Sequence, residues 1–104
     1  MFKITSGRGF AMVFANGWTV SVQFGGGNYC ANRDAKWIDN AEVGEKGCVN
    51  AEIAAWSAQD VWYDFGTDTV KGWVTPDEVA EFIAMIAAYP KETAAAEAPA
   101  SLDE

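Results

Sequence analysis

The segment from Gly9 to Phe24 most constrains the fold of this 104-residue chain, because it holds two apolar-rich stretches that meet at Asn16-Gly17. An Asn-Gly pair between alternating stretches is the strongest short-range signal of a β-hairpin. A three-residue loop that ends at Gly17 pairs Phe14 with Trp18 and gathers the large apolar side chains on one face. A two-residue turn would instead mix apolar and polar side chains on both faces. Burial therefore favours the longer loop, with Gly17 in the left-handed region that glycine tolerates.

The helix signal is equally local and lies near the C-terminus. Thr75 can cap free backbone N–H groups, Pro76 suits the first helical position, and Glu78 completes a capping box. The pattern predicts a helix from Pro76 to about Tyr89, stopped by Pro90. Its apolar stripe is expected to consist of four residues: Val79, Phe82, Ile83 and Ile86.

Sequence patterns predict further strands over residues 2–5, 48–57 and 61–65, and either a short strand or an extended lead-in to the helix over residues 69–74. The predicted fold class is therefore α+β. We expect a meander-like antiparallel β-sheet of four to six strands, with one C-terminal helix packed on one face. The chain length fits one domain, assigned to residues 1–90. Residues 29–47 are expected to form a long loop, and residues 91–104 a disordered tail rich in Ala and acidic side chains.

The net charge is −8, and it is unevenly spread. Residues 1–38 carry four basic residues and one acid, whereas residues 39–81 carry ten acids and two lysines. Nucleic-acid backbones require clustered Lys and Arg, so we expect no direct nucleic-acid binding. The acidic block is predicted to be either a solvated edge that keeps the protein soluble or a partner-binding surface. Its candidate partner-binding residues are Asp60, Asp64, Asp68, Glu42 and Glu45.

The residue types of common active sites are missing or few. The chain has no histidine, which removes the commonest general base and metal ligand, and only two cysteines, Cys30 and Cys48. We therefore predict no catalytic residues, no metal and no cofactor. The two cysteines are read as small buried hydrophobes, with a disulfide between them as the alternative. No secretory signal or membrane-length apolar run is present, so no membrane association and a cytoplasmic location are expected.

Two groups of residues are candidates for ligand or partner binding. The loop Gly25-Gly26-Gly27-Asn28, flanked by Arg8 and Arg33, can offer backbone N–H groups to an anion, but a flexible or bulged turn is the favoured interpretation. Trp and Tyr dominate binding hot spots. The aromatic candidates for recognition are Trp18, Trp37, Trp56, Trp62, Trp73, Tyr29 and Tyr63. Among the tryptophans we expect Trp37 and Trp62 to be exposed for partner binding. Trp18 and at least one of Trp56 and Trp73 are expected in the core.

The run from Gly9 to Phe24, followed by Gly25-Gly26-Gly27-Asn28-Tyr29-Cys30, resembles small uncharacterised proteins encoded by bacteriophages and prophages. The resemblance implies the cytoplasm of an infected bacterial host. It also implies a non-enzymatic inhibitor, of anti-CRISPR type, that binds a host defence or nucleic-acid-handling protein complex. The alternatives are a sponge for nucleotide signals or other small molecules, and a phage accessory or assembly protein. The oligomeric state is left open, with a homodimer among the options.

Overall fold

The structure is a computed structural model that describes residues 1–5, 7–34 and 47–91. These residues contain one antiparallel sheet of five strands in chain order and one helix that follows it. The α+β class, the meander and the C-terminal helix are thus confirmed. The elements are β1 (Phe2–Ile4), β2 (Gly9–Val13), β3 (Thr19–Gln23), β4 (Ala51–Trp56), β5 (Lys71–Val74) and α1 (Pro76–Ala87).

The β2–β3 hairpin has the register that burial favoured. Met12 pairs with Val20, and the Phe14 N–H donates to the Trp18 carbonyl at 2.8 Å, which leaves a three-residue loop. Gly17 closes that loop at a φ of 94°, as predicted. The register puts Val20 and Val22 on one face of the sheet, where both are buried.

Helix α1 begins with the predicted capping box. The Thr75 hydroxyl accepts from the Glu78 N–H, and the Glu78 carboxylate accepts from the Thr75 N–H. The helix ends at Ala87, two residues before the predicted Tyr89, because its last turn tightens. There the Tyr89 N–H donates to the Ile86 carbonyl at 3.1 Å, an i→i−3 bond that α-helices often make at their ends.

The core lies between α1 and one face of the sheet. Phe82 and Ile86 are buried there, whereas Val79 and Ile83 of the same stripe are partly buried. The Trp18 ring is 1% exposed and packs edge-on against Tyr89 at 5.2 Å between ring centroids. The prediction that Trp18 is a core residue is therefore confirmed.

The predicted strand over residues 61–65 is wrong. This stretch makes a single bridge, between Trp62 and Trp56, and then turns away. The turn after β4 contains Asp60 at a φ of 64°, and the Asp64 carboxylate accepts from the Gly66 N–H at 2.6 Å. Side-chain acceptors of this kind compete with the strand ladder and bend the chain.

Three other boundaries shift by one to three residues. Strand β4 spans 51–56 rather than 48–57, β5 spans 71–74 rather than 69–74, and β1 spans 2–4 rather than 2–5. Asn50 lies just before β4 and does not belong to the strand. Its side chain instead accepts a hydrogen bond from the Ala31 N–H at 2.6 Å. Residues 35–46 of the predicted loop and residues 92–104 of the predicted tail lie outside the described residues.

Candidate partner-binding surface

The two faces of the sheet have different surroundings. Side chains alternate between faces along a strand, so Ile53 and Ala55 of β4 face α1, while Ala54 and Trp56 face the other way. Within residues 1–5, 7–34 and 47–91, no helix covers that second face. We call it the open face.

Trp56 and Trp62 form a first aromatic pair on the open face. Their ring centroids lie 4.7 Å apart, and Trp62 is 44% exposed, as predicted. A tight turn causes this pairing. The buried Ser57 hydroxyl accepts from the Gln59 and Val61 N–H groups, and this turns the chain back so that Trp62 lies opposite Trp56.

Tyr29 and Trp73 form a second aromatic pair, stacked at 5.8 Å with 23° between the ring planes. The Trp73 N–H donates to the Tyr29 carbonyl at 2.8 Å, which ties β5 to the loop after β3. Gly72 makes the approach feasible, because a Cβ there would lie 2.5 Å from the Tyr29 Cβ. The Arg33 guanidinium lies 4.5 Å from the Tyr29 ring centroid. Arg33, Tyr29 and Trp73 are therefore in contact one after the other, and we call these three side chains the ladder.

Trp73 has an unusual backbone conformation for a bulky residue. It lies in a bulge of β5, where the register with β4 shifts, and its φ is 51°. A bulky side chain in the left-handed region is a steric outlier, and such outliers cluster at functional sites. The indole is nevertheless 54% exposed. Its strained backbone is therefore not compensated by burial of the ring.

The expectation that Trp56 or Trp73 belongs to the core is wrong. Trp56 is partly buried and Trp73 is exposed, while all nine residues of the buried core cluster lie on the helix side. The physical reason is strand parity. Trp56 lies one residue after the buried Ala55, and the bulge places Trp73 outside the regular alternation of β5.

Glu52 holds the second pair in place. Its carboxylate accepts from the Tyr29 N–H at 3.1 Å and from the Asn28 amide at 3.3 Å. Glu52 and Trp56 are four residues apart on one strand face, a separation of about 13 Å. The small Ala54 lies between them. We call Tyr29, Trp56, Trp62 and Trp73 the aromatic surface.

The three predicted acidic residues that the structure describes are exposed but play mixed roles. Asp60, Asp64 and Asp68 lie in the turns between β4 and β5. Asp64 and Asp68 each accept a bond from a nearby backbone N–H, at 2.6 Å, so part of their role is to form turns. Glu42, Glu45 and Trp37 lie outside the described residues.

The glycine loop uses much of its hydrogen-bonding capacity internally. The Gly25 N–H donates to the Asn28 side chain, the Gly27 N–H to the Arg33 carbonyl, and the Asn28 N–H to the Gly25 carbonyl. The loop therefore has few backbone donors left for an anion, and an anion-binding role rests mainly on Gly26 and the arginines. Arg8 does lie beside this loop, since a Cβ on Gly25 would collide with the Arg8 side chain.

The helix side has a separate apolar groove of about 290 Å³ between α1 and the sheet. Phe10, Phe24 and Ile83 line it, and Cys48 lies at its wall.

Among the described residues, no group of three or more Asp, Glu, Cys or His side chains could hold a metal ion. No helix in the described part of the chain is long and apolar enough to span a membrane.

Sequence reasoning named Tyr29 and Trp73 among the aromatic candidates for recognition, but it selected Trp37 and Trp62 as the exposed ones and did not predict the Tyr29–Trp73 pair. A signal was present, because Gly72 lies inside a strand pattern, and such a glycine often marks a bulge or a close backbone approach.

Comparison with known proteins adds nothing to this assignment. No family model matches the chain, and no curated protein or solved structure matches it.

Proposed function

We propose that this protein is a non-enzymatic binding domain that docks on a partner protein through the aromatic surface. The observation that carries the proposal is the exposure of Trp62 and Trp73 on the open face, 44% and 54% respectively. Interfaces are enriched in such side chains, and a few of them supply most of the binding energy. Burial of two half-exposed indoles by a partner would contribute several kcal/mol, at about 25 cal/mol per Å².

The backbone at Trp73 supports a binding role rather than a packing role. A bulky residue with φ near 51° costs of order 1–3 kcal/mol, and the fold here gains no buried ring in return. The contacts that fix this geometry are specific. Gly72 leaves room for Tyr29, and Glu52 anchors the Tyr29 backbone. A preorganised aromatic pair loses little side-chain entropy when it binds.

The charge of the chain supports a basic partner. The net charge is −8, and Glu52 and Asp60 are close in sequence to the aromatic pairs. Opposite charge on a partner accelerates association and disfavours wrong partners. We therefore propose that the partner is a host defence or nucleic-acid-handling protein complex. The protein would act there as a phage-encoded inhibitor in the bacterial cytoplasm, bound to the protein component rather than to nucleic acid.

Affinity capture from a bacterial lysate tests this proposal. Tagged wild-type protein, a W62A/W73A variant and an F2A/I4A control are compared, each with and without nuclease. Phe2 and Ile4 are a matched control, because they are 72% and 87% exposed and lie on β1, away from the aromatic surface. We expect a protein partner that survives nuclease and the control but is lost with W62A/W73A. A partner that W62A/W73A retains, or that nuclease removes, contradicts the proposal.

The ladder of Arg33, Tyr29 and Trp73 favours a second candidate, a binding site for a nucleotide signal. Stacked aromatic rings and a guanidinium beside a glycine loop suit a base and a phosphate. Thermal shifts with a panel of cyclic mono- and dinucleotides test it. A shift that R33A abolishes would support this candidate, whereas no shift with any nucleotide would exclude it for that panel.

A further inference from the structure

Two cysteines far apart in sequence are brought together by hydrogen bonds on either side of them. The Ala31 N–H donates to the Asn50 side chain at 2.6 Å, and the Asn32 amide donates to the Gly47 carbonyl at 3.3 Å. The first bond joins the residue after Cys30 to a residue two positions after Cys48. The second joins the segment just before Cys48 to the same loop. The Cys30 loop and the approach to β4 therefore run side by side.

The two thiols have different environments. Cys30 is 1% exposed, and its Sγ donates to the Gly25 carbonyl at 3.6 Å. Burial, together with electrostatic repulsion from the neighbouring Cys48 side chain, raises the pKa of the Cys30 thiol to about 11. Cys48 is only partly buried and lies at the wall of the apolar groove. A small reagent can therefore reach Cys48 before it reaches Cys30.

We propose that Cys30 and Cys48 are a thiol–disulfide modification site that exchanges with small-molecule disulfides of the glutathione class. Both thiols are free in the structure, so it represents the reduced form. The inference does not rest on the proposed function, because it is argued from the two thiols and from the hydrogen bonds beside them, although Tyr29 of the aromatic surface precedes Cys30 in the same loop.

The exchange proceeds in two steps. The Cys48 thiolate attacks one sulfur of the small disulfide, which forms a mixed disulfide and releases one small thiolate. Cys30 then loses its proton, and its sulfur attacks the Cys48 sulfur, which forms the Cys30–Cys48 bond and releases the second small thiol. The two protein thiols are oxidised by two electrons in total, and one small disulfide is reduced to two thiols.

The bond would fasten the loop that carries Tyr29 and Arg33 to the start of β4. A disulfide stabilises a fold chiefly by restricting the unfolded chain. For a loop of this length the restriction corresponds to about 3 kcal/mol, or about 100-fold in an equilibrium constant. By thermodynamic linkage, the equilibrium constant of disulfide formation differs between the folded and the unfolded chain by the same factor. Oxidation should therefore be about 100-fold more favourable in the folded chain.

The test is a redox titration of the intact protein with oxidised and reduced glutathione, once in buffer and once in urea. Alkylation followed by intact mass measurement counts free thiols, glutathione adducts and internal disulfides. We expect an oxidised monomer that has lost two hydrogen atoms and forms about 100-fold more readily in buffer than in urea. We also expect a stable glutathione adduct on C30S, whose Cys48 has no partner, and little adduct on C48S, whose remaining thiol is buried.

Equal or weaker disulfide formation in buffer than in urea would overturn the proposal, and so would intermolecular dimers as the main product. The comparison with urea uses the unsubstituted chain, so it decides the question even if a serine variant does not fold. A loss of partner capture by W62A/W73A bears only on the proposed function and leaves this inference unaffected.

Discussion

The side chain of Asn16 connects the hairpin loop to the end of the helix, and its removal should be costly. Its amide donates to the Ile86 carbonyl at 2.9 Å and to the Tyr89 carbonyl at 3.1 Å, and its Oδ1 accepts from the Trp18 N–H at 2.9 Å. Asn16 is 8% exposed, so water does not readily replace these bonds. Three bonds at about 1 kcal/mol each predict that N16A lowers the free energy of unfolding by about 3 kcal/mol.

That loss is large against a total of about 5–15 kcal/mol for a domain of this kind. At about 4–8 °C per kcal/mol, it corresponds to a fall in Tm of roughly 12–24 °C. Urea unfolding followed by tryptophan fluorescence measures it directly. Q59A, in an exposed turn, is the control and should change stability by less than about 0.5 kcal/mol. A loss below about 1 kcal/mol for N16A would refute the view that Asn16 caps the helix end.

N16D distinguishes loss of the donor from loss of the side chain. The introduced carboxyl keeps an acceptor for Trp18 but faces the helix carbonyls at the negative end of the helix dipole. Its pKa in the folded protein should therefore be raised above the unfolded value. The destabilisation is then fully present above the raised pKa and shrinks as pH falls through it. N16D should be less stable than N16A at pH 7 and recover at low pH, whereas N16A should show no such recovery.

Four further predictions concern the helix cap and the stacked Tyr29 and Trp73 rings. T75A should lower the free energy of unfolding by about 1 kcal/mol in urea unfolding, because it removes the helix cap. Hydrogen bonds from Thr75 lower the pKa of Glu78, so the wild type should lose stability as pH falls through that lowered pKa, and E78Q should not. G72A should displace Tyr29 and weaken the near-ultraviolet circular dichroism of the Tyr29–Trp73 stack, because its Cβ would lie 2.5 Å from the Tyr29 Cβ. W73G should be more stable than W73A by about 1 kcal/mol, because glycine tolerates a φ of 51°; equal stabilities would contradict the assigned backbone strain.

The elements that sequence predicted well are those encoded over short distances. Asn16-Gly17 and the face of Val20 and Val22 determine the hairpin register, and Thr75 with Glu78 determines the start of the helix. Each signal lies within a few residues of the structure it determines. Local chemistry therefore sufficed for the fold class and for these two boundaries.

The candidate site depends on contacts that no local pattern reports. Tyr29 and Trp73 are 44 positions apart, and their stack requires a bulge in β5 whose only sequence trace is Gly72. The same limit applies to Asn16 and Ile86, which are 70 positions apart. The alternation around Trp62 predicted a strand. Side-chain hydrogen bonds in the neighbouring turns outweigh the backbone hydrogen bonds that a paired strand would make there.

Hydroxyl-radical footprinting most directly tests the claim that the open face binds a partner. The tagged protein is labelled in buffer and in a nuclease-treated bacterial lysate, recovered, and mapped by peptide mass. We predict that Trp62 and Trp73 become protected in the lysate, while Phe2, which is 72% exposed on β1, keeps its reactivity. Unchanged labelling of both tryptophans, together with protection at Phe2 or along α1, would contradict the account and place the binding surface on the other side of the sheet.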